Sequence, residues 1–501
     1  MYFRSAKIRQ KNGIAVLLYE FYLKKVINRY LASQIKTNFP FHPTVEQEKS
    51  LEKLSDFIFC PDDRMVFMLC GYAGTGKTSI VAALVRTLLQ LQRKCVLLAP
   101  TGRAAKVFSS YSGKSAYTIH KWIYRQKSIV NNTCFTLSDN RSRDTLFIVD
   151  EASMIANGGM SGFGSGALLD DPVEYVYSGD GCRLLLLGDT AQLPPVGEEV
   201  SPALSADYLR SMSLTVMRME LTQVMRQTEG SGILTNATML RNIIACGDTS
   251  VLPFFKLKGF PDISVVTGEN LIETIETELN ASGLEETIVL CRSNKRANIY
   301  NEGIRRRILY REDELNRGDL LMVVKNNYYW REQAGKEDKA LLEKLDFVAN
   351  GDVAEIVRVG SMEEMYGFRF ADVTLSFPDY DCEMDVKILL NTLTSESPSL
   401  TKAENEQLFA AVWEDYADIK SKRKRMEKLR EDPYYNAMQV KYGYAVTCHK
   451  AQGGQWKTVF LDQGFVAPDG IGVDYYRWLY TAFTRASERL YLVNWPAQNH
   501  D

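Results

Sequence analysis

Residues 71–78 read Gly-Tyr-Ala-Gly-Thr-Gly-Lys-Thr, a G-x-x-x-x-G-K-T run that directly follows the apolar stretch Met65–Cys70 and opens a helical pattern. In that strand–loop–helix setting the spacing has a mechanism. Glycines let the backbone curl so that its N–H groups face a phosphate, and the helix N-terminus favours negative charge. Gly71, Gly74, Thr75, Gly76, Lys77, Thr78 and Ser79 are therefore expected to hold the phosphates of ATP. Lys77 would reach the β- and γ-phosphates and the Thr78 hydroxyl would ligate Mg²⁺. A second apolar run, Phe147–Val149, ends in Asp150 and Glu151. Asp150 is placed to hold Mg²⁺ through water and Glu151 to polarise the attacking water. Alone, such a pair reads as a helix cap or a solvated pair; beside a phosphate loop it reads as catalytic. A third run, Leu184–Leu187, exits through Gly188-Asp189-Thr190-Ala191-Gln192-Leu193-Pro194-Pro195. Gln192 lies where an amide can sense the γ-phosphate, the alternative being a plain turn stiffened by its two prolines.

These residues need parallel strands to carry them. From Met65 to about Gly188 the apolar runs Met65–Cys70, Cys95–Ala99, Leu146–Val149 and Arg183–Leu187 alternate with helical stretches, which predicts a parallel sheet covered by helices. A second set, Thr287–Cys291, Tyr444–Thr447, Val459–Leu461 and Leu490–Val493, predicts a second α/β sheet. Between them, Leu320–Val324, Val353–Val359 and Ala371–Phe377 read as short antiparallel strands, followed by one long polar helix from about Thr401 to Arg430. Apolar positions at helical spacing over 14–36 predict an amphipathic packing helix. The Gly-rich stretch 157–166 lacks the dinucleotide-binding glycine spacing and reads as a mobile loop.

Composition sets bounds on this reading. The chain has 501 residues, 60 Lys+Arg against 62 Asp+Glu, and 45% hydrophobic residues. That excludes wholesale disorder and fibrous classes, and at about 150 residues per domain it suggests about three domains. The near-neutral balance excludes a generally basic nucleic-acid coat protein, while a local basic groove stays open. No run approaches the roughly 18 uninterrupted apolar residues of a membrane helix. Ile14–Tyr19, cut off by Glu20, is too short for a signal peptide. Nine singly scattered cysteines and four distant histidines, His42, His120, His449 and His500, predict neither a disulfide framework nor a zinc site. The chain reads as cytoplasmic, without membrane contact.

With the three strand-end motifs in this order, the chain resembles the superfamily-one DNA helicases of the B branch, the RecD-like and Dda-like enzymes. The resemblance covers nearly everything from about His42 onward. Pro43-Thr44-Val45-Glu46-Gln47 looks like the family's adenine-recognising motif, implying that Gln47 reads the base edge. Ala99–Ala105 is similar to motif Ia, and Thr118-Ile119-His120 to motif Ib. Leu221–Gln227 looks like the motif that sends an arginine, here Arg226, to the γ-phosphate. Val446–Gly453 resembles motif V, and Tyr480–Ala486 resembles motif VI with Arg485 as a second arginine finger.

The resemblance implies an α/β fold of two RecA-like P-loop domains, with a small hairpin insertion in the first and an SH3-like β insertion in the second. Residues 1–40 would form an N-terminal helical segment, and 41–232 the first RecA-like domain with its hairpin at about 125–144. The second domain would combine 233–309 with 439–501, and 310–438 would be the SH3-like insertion with its long helix. The activity implied is Mg²⁺- and ATP-dependent unwinding of DNA with 5′→3′ movement. Single strands and single/double-strand junctions would be the partners, alongside repair or recombination proteins. Since the phosphate loop and Arg485 lie in different domains, hydrolysis would require the domains to close on ATP, and such an arginine is worth about 10³–10⁵ in rate. Thr101, Gly102, Thr118 and Thr447 offer hydroxyls and N–H groups suited to single-strand phosphates. His120, His449, Lys450 and Gln452 are assigned to the same strand, a plain structural role being the alternative for the two histidines.

Ser128–Leu137 reads as a hairpin with an Asn131-Asn132 turn. The family keeps its strand-splitting pin there, and Phe135 either stacks on the last base pair or packs the hairpin onto its own domain. Lys422–Arg425 is a solvated face or a duplex contact. Two other classes compete with a motor. One is a helicase–nuclease, from Pro378-Asp379 and Asp385-Val386-Lys387, whose gap is short for a nuclease centre. The other is an ATP-driven switch or remodelling factor that binds DNA without unwinding it.

Overall fold

The computed structural model describes residues 25–126, 135–158, 166–223, 230–337, 345 and 347–501. The first sheet holds β1 (Met65–Gly71), β2 (Lys94–Ala99), β3 (Ala116–Thr118), β6 (Thr145–Val149), β7 (Arg183–Gly188) and β8 (Thr215–Leu221), in the order β3-β2-β6-β7-β1-β8. Every pairing in it is parallel. All seven residues of β1 are buried, as expected of a strand covered on both faces. Phe67 and Leu69 join the core on one side while Val66, Met68 and Cys70 join the core on the other, following the two-residue alternation of a strand. Helices α1 (Val45–Ile58), α2 (Lys77–Gln90) and α3 (Gly102–Ser112) flank this sheet. Residues 25–37 are helical and bury Leu31 and Ile35 in the first of these cores; the rest of the helix expected over 14–36 lies outside the described residues. The edge strand β8 is absent from the sequence reading because its residues Thr215, Arg218 and Glu220 interrupt any apolar run.

Two short strands, β4 (Tyr124–Gln126) and β5 (Phe135–Leu137), pair antiparallel where a hairpin is expected. Its Asn131-Asn132 turn, and residues 159–165 of the Gly-rich loop, lie outside the described residues. The second sheet is again fully parallel, in the order β16-β10-β17-β18-β9. Its strands are β9 (Ile263–Val266), β10 (Thr287–Cys291), β16 (Ala445–Thr447), β17 (Trp456–Asp462) and β18 (Ala486–Val493), with α4 (Val473–Phe483) packed against it.

Between β10 and β16 the chain forms a closed five-stranded barrel of β11 (Leu320–Val323), β12 (Val353–Met365), β13 (Phe368–Phe377), β14 (Cys382–Leu389) and β15 (Met438–Tyr442). Two expectations are corrected here. β15 pairs with β11 through Val323 and Val440, so the barrel runs past the boundary expected at 438. The long helix expected from Thr401 to Arg430 is two helices, Lys402–Asp415 and Lys422–Arg430. Ser421 caps the second, and the pair folds back so that Arg425 Nε donates to Trp413 O at 2.8 Å and its guanidinium covers the Trp413 ring at 4.3 Å. Folding back lets Leu408, Val412 and Leu429 share one small core with Phe370, which a straight polar helix would leave exposed.

A buried ion cluster ties the barrel to the second sheet. Asp319, just before β11, accepts two hydrogen bonds from Arg305, one from Arg311 and one from the Tyr444 hydroxyl, at 2.8–3.0 Å. Among the described residues, no helix is long and apolar enough to cross a membrane.

Candidate functional site

The C-terminal end of β1 runs into the phosphate loop. Gly74 and Gly76 take φ of +77° and +86°, a left-handed geometry that glycine adopts without strain. Lys77 Nζ donates to the carbonyl of Gly71 and, at 3.0 Å, to that of Tyr72. The amine is thus folded over the loop it would leave on meeting a phosphate. Thr78 is exposed and Ser79 half-buried on the first turn of α2. Gln47 is fully buried; its Nε2 donates to Thr75 O at 3.0 Å and its Oε1 accepts from Thr44 N at 3.0 Å. The second bond closes a capping box with Thr44. Gln47 therefore braces the loop, and reading a base edge would mean exchanging these bonds.

Asp150 and Glu151 follow β6. Glu151 sits at φ +52°, a strained choice for a residue with a side chain, of the kind that gathers at functional sites. Asp150 Oδ1 accepts from Glu151 N at 2.8 Å, and Oδ2 accepts from the Tyr111 hydroxyl. Burial pushes the Asp150 carboxyl above its usual range, opposed by the Tyr111 and Glu151 donors and the Lys77 charge. Glu151 is raised for the same reason, with Arg485 pulling down and Asp150 pushing up. A raised carboxyl suits a proton acceptor working near neutral pH. Among the described residues no three His, Cys, Asp or Glu side chains converge on a metal site. The Thr78 hydroxyl and the Asp150 carboxylate are hard oxygen donors, and magnesium typically takes one or two of these from protein and the rest from phosphate and water. The donor set fits that cation.

After β7, Gln192 is buried with its side-chain carbonyl lacking a hydrogen-bond partner among the described residues. Asp189, also buried, turns the loop by accepting from Ala191 N at 3.0 Å. Its other oxygen accepts from Tyr480 Oη at 2.7 Å, and that hydroxyl accepts from Ala73 N at 2.9 Å. Tyr480 lies on α4 of the second sheet, so it joins the phosphate loop and the Gln192 loop across the domain boundary. Thr481 Oγ1 accepts from Leu193 N at 2.8 Å, and Gln452 Nε2 donates to Leu193 O at 2.8 Å. Gln452 thereby belongs to the contact between domains. Arg485 is buried, donating to Thr481 O, Thr484 Oγ1 and Gly454 O at 3.0–3.2 Å. Its field reaches Glu151. Arg226 lies outside the described residues.

The residues assigned to a DNA strand are distributed unevenly. Thr101 caps α3 and Gly102 is its first residue. A side-chain carbon on Gly102 would come within 2.6 Å of Asp352 Oδ1 and Tyr380 Oη of the barrel, so the barrel closes over this turn. Thr447 ends β16, and His449 is exposed beyond it. The Lys450 ammonium is buried without a hydrogen-bond partner among the described residues, and burial, helped by Lys441, lowers it to about 8. Thr118 caps the short helix Ile119–Ile123. His120 is buried and its pKa is pushed down to about 4, so it carries no charge near neutral pH, in keeping with the structural alternative.

Asp189, Tyr480, Arg103 and Tyr111 were not singled out from sequence. The first three sit inside motif runs already recognised, where position in the run was the available signal; Tyr111 carries no sequence signal. The residues of the nuclease alternative are paired separately among the described residues. Asp379 pairs with Lys106 of α3, Asp385 bonds Thr374, and Lys387 pairs with Glu363 and Asp372.

Two parallel sheets that share one phosphate loop make this a P-loop NTPase of the two-domain kind. Residues 46–243 match the AAA domain family, and residues 442–493 match the UvrD-like helicase C-terminal domain. The ATP-dependent RecD2 DNA helicase of Deinococcus radiodurans is 30% identical over 171 residues, which is 34% of this chain and 21% of that protein. The ATP-dependent DNA helicase dda of Enterobacteria phage T4 is 22% identical over 413 residues, 79% of this chain and 86% of that protein. A solved Pif1 helicase from Bacteroides, in complex with ADP-AlF3 and ssDNA, aligns over 90% of this chain and 92% of its own at 14% identity and a TM-score of 0.45. These matches support an ATP-driven DNA helicase similar to the superfamily-one RecD-like and Dda-like enzymes.

Proposed function

We propose that this protein hydrolyses ATP between its two parallel-sheet domains, moves 5′→3′ along single-stranded DNA and unwinds duplex at single/double-strand junctions. The observation that carries the reading is the bridge Ala73 N–Tyr480 Oη–Asp189. It ties the loop that would hold the phosphates to the helix that carries Arg485, so events at the phosphates bear directly on the spacing of the domains. In this reading Lys77 exchanges its loop carbonyls for the β- and γ-phosphates, and Glu151 accepts the proton of the attacking water. Gln192 orients that water, and Arg485 with Arg226 meets the charge that develops on the transferred group. Magnesium, when bound by Thr78 and Asp150, would neutralise phosphate charge.

The strand would lie across Thr101, Gly102 and Thr118 of the first domain and Thr447, His449 and Lys450 of the second. Lys450 supports this most directly, because its buried ammonium has no hydrogen-bond partner among the described residues, a costly state that a DNA phosphate would relieve. The five-stranded barrel is read as the family's SH3-like insertion, and the β4–β5 ladder as the base of the strand-splitting hairpin. Direction and a repair or recombination setting rest on the family resemblance, and a cytoplasmic location on the composition of the chain. The test is unwinding of partial duplexes with 5′ or 3′ single-stranded tails, with and without ATP. A 5′ tail should be required. Efficient unwinding from a 3′ tail alone would refute the direction, and ATP hydrolysis without any unwinding would favour a switch or remodelling factor.

A further inference from the structure

Helix α3 has two ends with different neighbours. Its first turns lie against the second domain and the barrel. Gly453 backs onto it so tightly that a side-chain carbon there would stand 3.0 Å from Ala104 Cβ and 3.4 Å from Thr101 Oγ1. Arg103 lies 4.0 Å over the Trp456 ring and donates to Gln455 O at 3.2 Å, and Lys106 pairs with Asp379. At the other end, on the last turn, the Tyr111 hydroxyl donates to Asp150 Oδ2. The Tyr111 ring stacks on the fully buried Phe108 at 5.2 Å, which packs the ring onto its own helix. At 1.5 Å per residue the two ends are about 16 Å apart. With Oδ1 held by Glu151 N and Oδ2 by Tyr111, the plane of the Asp150 carboxylate depends on where α3 sits.

We propose that Tyr111 is a positioning residue for the Asp150 carboxylate, through which the grip of α3 on a DNA strand and on the second domain sets how well the site takes up magnesium with ATP. The inference rests on the proposed roles of Asp150 as metal carboxylate and of Thr101 and Gly102 as strand contacts. Outer partners of metal ligands are worth about 10–100-fold in metal affinity, and a phenol donor that fixes a carboxylate is such a partner. The arrangement would make the cation site tighter when α3 is held by the strand, which is one physical route to DNA-stimulated hydrolysis.

The experiment uses the full chain with Tyr111→Phe, which keeps the ring and its stack and removes one oxygen. Binding of a fluorescent ATP analogue is titrated with and without Mg²⁺, and half-saturating Mg²⁺ is measured for ATPase with and without single-stranded DNA. The expected result is unchanged affinity without Mg²⁺, a gain from Mg²⁺ reduced by about tenfold or more, and a half-saturating Mg²⁺ that no longer falls when DNA is added. Asp150→Asn is run beside it. If Asp150→Asn loses the Mg²⁺ gain while Tyr111→Phe keeps the parent's Mg²⁺ titrations, the positioning role is overturned and the metal role stands. If Asp150→Asn keeps the full Mg²⁺ gain, the metal role fails and the positioning role falls with it. A Tyr111→Phe protein with a lowered melting temperature but parental Mg²⁺ titrations also overturns the proposal, since its phenol would then serve packing alone.

Discussion

Arg485 spends its guanidinium on Thr481 O, Thr484 Oγ1 and Gly454 O inside its own domain, yet its charge is felt by Glu151 across the boundary. Arg485→Ala should leave nucleotide affinity within roughly tenfold while turnover falls by about 10³ or more, the pattern of an interaction made in the transition state. Steady-state turnover beside nucleotide titration checks it; lost affinity with normal turnover at saturation would assign the arginine to binding. Asp352 gives a second prediction. Its Oδ2 accepts from Ala349 N at 2.7 Å and Tyr380 Oη at 2.9 Å, while Oδ1 is buried without a partner among the described residues. Burial pushes the carboxyl up to about 7, with Asp379 adding to the rise. The native pKa thus exceeds the unfolded value of about 3.9, so the native state binds more protons between these limits. Stability from this group is fully present below about pH 4 and is lost as pH rises through 7. Asp352→Asn keeps one oxygen for both donors and removes the ionisation. Its melting temperature relative to the parent should be higher at pH 8 than at pH 5, and an offset independent of pH would contradict the raised carboxyl.

At the scale of elements, the junction between the helix Asn294–Arg307 and β11 rests on Asp319, which is wholly buried together with Arg305. Asp319→Ala would strand the Arg305 charge, and breaking a buried pair costs about 3–5 kcal/mol. Arg305 keeps bonds to Asp313 O at 2.6 Å and Asn316 Oδ1 at 3.0 Å, so a loss near 3 kcal/mol is expected, read from urea unfolding. The proposed nucleotide site lies elsewhere, on the first sheet and α4. Affinity for an ATP analogue at low temperature should therefore survive while thermal stability falls; a loss of both would mean that the barrel supports the second sheet itself.

For the whole molecule, the strand contacts assigned to α3 and to the residues after β16 come from different domains, held together by Tyr480, Thr481 and Gln452. Single-stranded DNA should therefore stimulate the ATPase, with an affinity that falls steeply with salt. Each phosphate neutralised contributes about −0.7 to the slope of log K against log salt, so contacts shared between two domains predict a slope of a few units. Fluorescence anisotropy with labelled oligonucleotide over a salt series measures it. A flat response, or an ATPase indifferent to DNA, would count against a motor.

The inner strands of both sheets and the loops at their ends are legible along the chain because their signals are local, whereas the edge strands β3, β8 and β9 are not. A glycine spacing that turns a loop, an apolar run that buries a parallel strand and a carboxylate pair at its end each need only neighbouring residues. Gly71 to Thr78, Asp150, Glu151 and Gln192 could therefore be proposed from types and spacing. The contacts that make these pieces one site are of another kind. Tyr480 meets Ala73 across 407 residues and Tyr111 meets Asp150 across 39, and nothing in the local period of α3 or α4 says which strand end its hydroxyl will face. Closure of the barrel by β15, the break of one polar helix into two and the burial of His120 were decided in the same way. Each depends on what packs against the element once the chain has folded, and only the tertiary structure supplies that neighbour.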